Sequence, residues 1–219
     1  MWKPLVVPVN VAGLFVLALI VIASASSSAG ARKRSEPCFP RGSATEVQTS
    51  ALRIYRRGRS VVACALETGS RVRLGLHSGP ANDGAGVVAE IDVENSYVAY
   101  VVRDTSGVAR GGAAALKLAD LRAARRVDIG STGCERGAGP SVPSFDVNPG
   151  GQLAWTCASE GASGTIVEVH KYDADGPGVL DEGSGSPSDS PIAHSVALSK
   201  FEGTVYWMHG TEPRSARLR

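Results

Sequence analysis

An aromatic residue recurs in one short apolar setting along this chain of 219 residues. It closes the segments Val98-Ala99-Tyr100, Leu153-Ala154-Trp155 and Val205-Tyr206-Trp207, and Ile54-Tyr55 is an earlier, shorter copy. The recurring aromatics are Tyr55, Tyr100, Trp155 and Trp207. Four copies over most of the chain indicate one supersecondary unit that is used four times.

Two further patterns accompany each aromatic. An alternating apolar run lies 7 to 9 residues before each aromatic. After the first three aromatics come a strand, a turn and a second strand, which closes on a short run that ends in glycine: Val72-Arg73-Leu74-Gly75, Val127-Asp128-Ile129-Gly130 and Leu180-Asp181-Glu182-Gly183. Each unit is therefore predicted to be a four-stranded antiparallel meander. The predicted repeats cover residues 44–75, 88–130, 144–183 and 193–219, and the last of them is incomplete because it stops after its third strand.

Composition supports an all-β fold. The chain contains 26 glycines and 12 prolines, and turn residues such as those of Asn148-Pro149-Gly150-Gly151 separate its short apolar runs. Residues 44–219 are long enough to form one domain with a full core. Because short alternating strands also build two-layer folds, a β-sandwich is the alternative architecture.

The repeated four-stranded unit resembles the secreted bacterial β-propeller proteins, TolB-like or WD40-like in the broad sense. The resemblance covers residues 44–219 and implies a β-propeller-like fold rather than a particular partner. In a closed ring, the strand missing from the last repeat would have to come from the segment near residues 37–42.

The first 25 residues have the order of an export signal. Lys3 gives a basic start, residues 11–22 are apolar, and Ala23-Ser24-Ala25 has the form that signal peptidase accepts. We therefore expect residues 1–25 to be a signal peptide, residues 26–43 to be an N-terminal segment, and the protein to be secreted or on the cell surface. An uncleaved N-terminal anchor is the alternative, and membrane association is expected only in that case.

Four cysteines follow the export signal, and an even number in an oxidising compartment favours disulfides. No cysteine pair has the spacing of a zinc site, so no metal is expected there. Three pairings are possible. Those that close the shortest loops are favoured, Cys38 with Cys64 and Cys134 with Cys157.

Three carboxylates occupy the same register in the first predicted strand of repeats one to three: Glu46, Asp92 and Asp146. If these strands line a propeller axis, the carboxylates converge and form a weak ligand-binding site for a hard cation such as calcium or for a basic peptide group. Polar residues on the wetter face of each strand are the simpler explanation. In the fourth repeat Ala197 takes this position.

Two other features are expected to be structural. The recurring aromatics alternate correctly with apolar neighbours for a buried face, so they are predicted to pack in the core. Asp173-Ala174-Asp175-Gly176 begins like a calcium-binding loop, but Pro177 stands where an oxygen ligand is needed, which favours a hairpin turn.

No local catalytic motif is present, and no cofactor is implied. A net charge of +2 with mixed signs argues against a nucleic-acid binder. We therefore expect an exported, non-enzymatic binding or interaction module whose partner is an extracellular macromolecule or a cell-envelope component. The alternative is an exported hydrolase or lyase whose active site is assembled from loop residues such as His77, Asp83, Asp104 and His194.

Overall fold

The computed structural model describes residues 38–77, 86–103, 114–130, 138–161, 164–184 and 190–219. These residues form β-strands, which confirms the all-β prediction. The strands are β1 (Ala44–Gln48), β2 (Leu52–Arg57), β3 (Ser60–Ala65), β4 (Arg71–Leu76), β5 (Val87–Glu94), β6 (Tyr97–Arg103), β7 (Ala114–Asp120), β8 (Arg125–Val127), β9 (Ala138–Val147), β10 (Leu153–Gly161), β11 (Gly164–Asp173), β12 (Gly176–Ser184), β13 (Ala197–Leu198), β14 (Thr204–His209) and β15 (Glu212–Arg217).

The predicted export signal, residues 1–25, and most of the N-terminal segment lie outside the described residues. Within the described stretches, no helix has the length and apolar character that a bilayer span requires.

The strands pair in chain order within three sheets. We call β1–β4 meander 1, β5–β8 meander 2, β9–β12 meander 3 and β13–β15 meander 4. Meanders 1 and 2 form one eight-stranded sheet, whereas meanders 3 and 4 form sheets of four and three strands. Every pairing within a meander is antiparallel, and the two halves of the large sheet are joined by one parallel pair, Leu76 with Val87. Sequence alone did not predict this junction, because it depends on how β4 and β5 meet in space.

The recurring aromatics lie on β2, β6, β10 and β14, the second strand of each meander, and they are almost fully buried. The exposed fraction is 2% for Tyr55, 0% for Tyr100, 0% for Trp155 and 6% for Trp207. Their predicted role in core packing is confirmed. We call the side of each meander that carries this residue its aromatic face, and the other side its opposite face.

Three apolar clusters among the described residues each combine two consecutive meanders. Ile54 on the opposite face of meander 1 shares a cluster with Tyr100 of meander 2. Ala99 of meander 2 shares the next cluster with Trp155, and Ala154 of meander 3 shares another with Trp207. The opposite face of one meander thus packs with the aromatic face of the next, and the period-2 alternation of each strand supplies both faces.

The aromatic face of meander 1 is covered by the residues that precede β1. Cys38 forms a disulfide with Cys64 of β3, and Cys38, Tyr55 and Cys64 form a buried cluster with Phe39 packed against it. This bridge confirms one of the two predicted pairings. The predicted partner of Cys157, Cys134, lies outside the described residues.

Arg53 holds the same segment from β2. Its guanidinium lies 4.6 Å from the centre of the Phe39 ring and donates to the carbonyl oxygen of Cys38 at 2.6 Å. It also donates to the hydroxyl oxygens of Ser43 and Thr45. Residues 38–43 form turns and no strand, so they do not supply the strand that a closed ring would need. They cap meander 1 instead.

Two glycines permit close contacts between neighbouring meanders. Gly151 has φ +80°, and a Cβ at this position would lie 2.5 Å from the Tyr97 ring of meander 2. Gly203, with φ +62°, faces Gln152 of meander 3 in the same way, and its Cβ would lie 2.7 Å from Oε1. Because Tyr97 and Gln152 are equivalent positions in the repeat, the same close contact with a glycine occurs twice.

Ala124 is an alanine at a turn position that favours glycine. It has φ +51° in the β7–β8 turn, and Gly69 occupies the equivalent place in the β3–β4 turn with φ +74°. We expect Ala124→Gly to raise the free energy of unfolding by about 1 kcal/mol, because a left-handed conformation strains any residue with a Cβ. Urea denaturation measures the change. The control is Ala123→Gly, because the φ of Ala123 is not positive. A higher free energy of unfolding in both variants, or in neither, would contradict the explanation.

Candidate functional site

The predicted carboxylate row lies on the first strands, and two of its members connect neighbouring meanders. Asp92 Oδ2 on β5 accepts a hydrogen bond from the backbone N–H of Val147 at 3.0 Å. Asp146 Oδ2 on β9 accepts one from the N–H of Leu198 at 2.8 Å. Each acceptor therefore bonds to the residue that follows its own equivalent in the next meander. Asp92 and Asp146 thus make the same hydrogen bond between the first strands of neighbouring meanders.

The side chain of Lys200 supplies a positive charge beside this row of carboxylates. Lys200 Nζ lies 2.9 Å from Asp146 Oδ1, 2.9 Å from the carbonyl oxygen of Val147 and 3.3 Å from Glu94 Oε2. Although burial by itself lowers the pKa of Lys200, the bonds to Asp146 and Glu94 outweigh it and raise that pKa above its ordinary value. The ammonium group thus occupies the position that the sequence suggested for a bound cation or a basic peptide group.

Asp146 lies close enough to Asp92 to affect the ionisation of Asp92. Burial raises the pKa of Asp92, and the charge of Asp146 raises it further, although the Val147 N–H and Lys200 act in the opposite direction. The third member, Glu46, pairs with the guanidinium of Arg56 within meander 1. Cation binding by the row stays a prediction.

A cleft of about 900 Å³ lies where turns of meanders 2, 3 and 4 come together. We call it the turn-face cleft. Its walls come from the start of β6, the end of β7 and from β8, the β9–β10, β11–β12 and β13–β14 turns, and the end of β15 with the residues after it. Its lining aromatics are Tyr97, Tyr172 and Phe201. Phe201 at the β13–β14 turn is 97% exposed.

The cleft lining carries charges of both signs, with four basic side chains (Arg125, Lys200, Arg217 and Arg219) and three acidic ones (Asp120, Asp173 and Glu202). Arg125 and Arg217 make no ion pair with any described residue, and Arg219 meets only the exposed carboxylate of Asp175, at 3.6 Å. Asp173 is the most buried acidic group of the lining, and its carboxylate is fully engaged by Lys171 and by backbone N–H groups. An incoming ligand therefore meets two arginines, Arg125 and Arg217, that have no ion-pair partner among the described residues, beside the carboxylates of Asp120 and Glu202.

The Asp173 side chain organises the turn that borders the cleft. It accepts from the N–H of Asp175 at 3.0 Å, from the N–H of Arg219 at 3.0 Å and from Lys171 Nζ at 2.7 Å. β11 ends at Asp173 and β12 begins at Gly176. The predicted hairpin turn is confirmed.

A buried acidic group joins meander 3 to meander 4. Asp181 on β12 accepts hydrogen bonds from Trp207 Nε1 at 2.7 Å, His209 Nδ1 at 2.8 Å and Arg214 Nη1 at 3.0 Å. Burial alone would raise the pKa of Asp181, but these bonds and the charges of His209 and Arg214 hold it below its ordinary value. We call these four residues the Asp181 cluster. All three donors bond to the one carboxylate of Asp181, so the cluster connects meander 3 to meander 4.

A second polar group lies inside the core beside Trp155. Cys157, Glu168 and His170 place one potential ligand atom each within 4.8 Å of one another. His170 Nε2 lies 3.0 Å from Glu168 Oε2, and its ring stacks on Trp155 with centroids 5.2 Å apart. Because Cys157 is disulfide-bonded, it has no thiolate to offer a metal. Burial lowers the pKa of His170, which favours the neutral ring among these apolar neighbours.

The two described histidines of the enzymatic alternative, His77 and His194, contact different parts of the structure. His77 contacts the guanidinium of Arg56 in meander 1. His194 Nδ1 lies 2.9 Å from the carbonyl oxygen of Pro143 in meander 3. Asp83 and Asp104 lie outside the described residues. Sequence reasoning missed Lys200, the Asp181 cluster and the turn-face cleft, although Asp181 belongs to the recurring run that closes each repeat.

Comparison with known proteins assigns no family to this arrangement. No protein-family model matches the chain, and a search of curated proteins finds no match.

Proposed function

We propose that this protein is an exported, non-enzymatic binding module on a β-propeller-like scaffold, and that its ligand binds in the turn-face cleft. The observation that carries the proposal is the cleft itself. Strand ends of meander 2 and turns of meanders 3 and 4 line it with both aromatic and polar side chains, and pockets of this size are the usual places for ligands. Loops held by a rigid sheet scaffold commonly carry binding residues.

The repeated packing supports the propeller-like part of the proposal. Each meander packs its opposite face on the aromatic face of the next one, and first strands bond to first strands through Asp92 and Asp146. Successive four-stranded meanders with neighbouring first strands are the pattern of propeller blades.

The charge of the cleft favours an anionic ligand. Three arginines line it (Arg125, Arg217 and Arg219), its buried carboxylate, Asp173, is already neutralised by Lys171, and its other acidic side chains are Asp120 and Glu202. Guanidinium groups bind carboxylates and phosphates in a fixed fork geometry. An acidic polymer of the extracellular space or the cell envelope is the ligand class that fits this lining, with Phe201 available for apolar contact.

Fluorescence anisotropy tests this function with labelled oligoglutamate and oligouronate, and with a neutral dextran as the negative probe. We expect an acidic probe to bind, and the double variant Arg125→Ala/Arg219→Ala to weaken binding about tenfold, at roughly 0.7 kcal/mol for each exposed charge. The affinity should fall as salt is added, because exposed charges are screened.

The matched control is Arg57→Ala/Arg71→Ala, which removes two exposed arginines from meander 1. An equal loss of affinity in both double variants would show that binding follows overall charge and not the cleft. No binding of any acidic probe at low salt would contradict the anionic ligand class. Turnover of ester, phosphate or glycoside substrates would favour a hydrolase.

A further inference from the structure

The charge of this chain is distributed unevenly along its length. Residues 1–77 contain 11 of the 23 lysines and arginines but only three of the 21 aspartates and glutamates. These residues therefore carry a net charge of +8, and the rest of the chain, with 12 basic and 18 acidic side chains, carries −6. The small overall charge of +2 hides this asymmetry. Charge asymmetry of this kind is typical of proteins that bind a charged surface.

The fold gathers part of the positive charge on one side of meander 1. Directly paired residues of neighbouring strands share a face, and the register of β2–β4 puts Arg57, Arg71 and Arg73 on the side of Tyr55. All three arginines are exposed. The alternate residue Val72 is buried in the cluster that meander 1 shares with meander 2, so the arginines point away from the core.

Residues 38–43 cover the middle of this side and add a further charge to it, because Arg41 is exposed among them. We call Arg41, Arg57, Arg71 and Arg73 the basic end face. Residues 38–77 contain seven arginines and only two acidic residues, Glu46 and Glu67, of which Glu46 pairs with Arg56.

The chain that leads into this face is also basic. Lys33 and Arg34 stand five and four residues before Cys38, which the disulfide ties to Cys64 on the same face. An extended chain covers at most about 3.6 Å per residue, so the backbone of these two residues lies within about 18 Å of Cys38. The preceding segment therefore adds to the positive charge of the basic end face and does not neutralise it.

We infer that the basic end face docks on the surface of a bilayer that contains anionic lipids. Exposed arginines on neighbouring strands of one sheet face can contact a plane of headgroups together, whereas a cleft cannot receive a plane. Clusters of lysine and arginine next to an apolar segment are attracted to anionic headgroups, and here the apolar residues 11–22 precede the basic cluster.

This docking requires only the charges of residues 32–77, so it is independent of an uncleaved anchor. It is also independent of the proposed ligand, because other arginines line the turn-face cleft. The negative charge of the rest of the chain favours one orientation, in which the basic end face meets the bilayer and meanders 2 to 4 point away from it.

Co-sedimentation of the exported protein with sucrose-loaded vesicles tests the inference. One set of vesicles is phosphatidylcholine alone, and the other contains about 30% phosphatidylglycerol, both at about 0.1 M salt, where screening is moderate. We expect binding to the anionic vesicles only, and loss of that binding at about 0.5 M salt, because exposed charges are then screened within a few ångströms.

The double variant Arg57→Gln/Arg71→Gln locates the contact. Each basic residue near an anionic surface changes the partition coefficient about fivefold, so we expect the variant to bind anionic vesicles roughly 20- to 30-fold more weakly. Both side chains are exposed, so its melting temperature should equal that of the wild type. The control is Lys117→Gln/Arg122→Gln, which removes two exposed charges from meander 2 and should weaken binding less than about threefold.

Four results would overturn the inference. Equal binding to both kinds of vesicle would show that the apolar N-terminal segment inserts and that the arginines do not dock. The other contradictory results are no binding to anionic vesicles at low salt and an equal loss in the two double variants. Tighter binding to a DNA duplex than to vesicles of equal phosphate concentration would assign the basic end face to nucleic acid instead.

Discussion

Asp181→Ala is expected to lower the free energy of unfolding by about 3 kcal/mol. The substitution removes the single acceptor of Trp207 Nε1, His209 Nδ1 and Arg214 Nη1, whose bonds are 2.7 to 3.0 Å long. Hydrogen bonds to a charged group contribute about 1.5–3 kcal/mol, and the donors left in the protein lose their partner. Chemical denaturation at neutral pH measures the loss.

Glu212→Ala is the control for this prediction. Glu212 also pairs with Arg214, but at 3.8 Å and with a side chain that is 74% exposed. Exposed pairs contribute little, so this variant should change stability by less than about 0.5 kcal/mol. Equal effects of the two substitutions would contradict the role of Asp181 as the joint between meanders 3 and 4.

The effect of Asp181 should also depend on pH. Its pKa in the folded protein is held below the ordinary value, so the unfolded chain takes up the proton first as pH falls. The stabilisation is therefore fully present above about pH 5, and it is lost as pH falls through the folded pKa. The difference in stability between the wild type and Asp181→Ala should narrow as the pH falls below about 5.

Removal of the Cys38–Cys64 disulfide is the second large change. We expect Cys38→Ala/Cys64→Ala to lower the free energy of unfolding by about 3 kcal/mol, because the bridge closes a loop with a sequence separation of 26 and restricts the unfolded chain. Both cysteines are replaced together so that no free thiol can exchange with the disulfide of Cys157. Guanidinium denaturation without reductant measures the loss.

A companion variant separates the covalent bond from the packing of the cap. Phe39→Ala keeps the disulfide but removes the ring that packs beside Tyr55 and under the guanidinium of Arg53. It should cost less than the double cysteine variant, because Phe39 is only partly buried. If Phe39→Ala costs as much as the double variant, the cap stabilises meander 1 by packing rather than by the cross-link.

Alternation and spacing in the sequence were sufficient to predict the local structure. The aromatic repeat located the second strand of every meander, and the glycine-rich and proline-rich segments located turns such as that at Asp173. These features depend on neighbours a few residues apart, because the side-chain period of a strand and the conformational demands of a turn are local.

The candidate site was only partly predictable. The common register of Asp92 and Asp146 could be read from the repeat, but their acceptance of N–H groups from the next meander could not. Lys200 lies three residues after Ala197, and only the placement of meander 4 against meander 3 brings its ammonium to Asp146. The lining of the turn-face cleft comes from turns that are far apart in the chain.

The sequence by itself therefore determined the all-β class, the unit and the buried aromatic of each meander, because alternation along one strand decides which side chains face a core. The tertiary structure alone decided the partners of Asp146 and Asp181 and the cap on meander 1. Those contacts join residues about 15 to 55 positions apart. Their energies depend on how one sheet lies on another, and no local pattern records that arrangement.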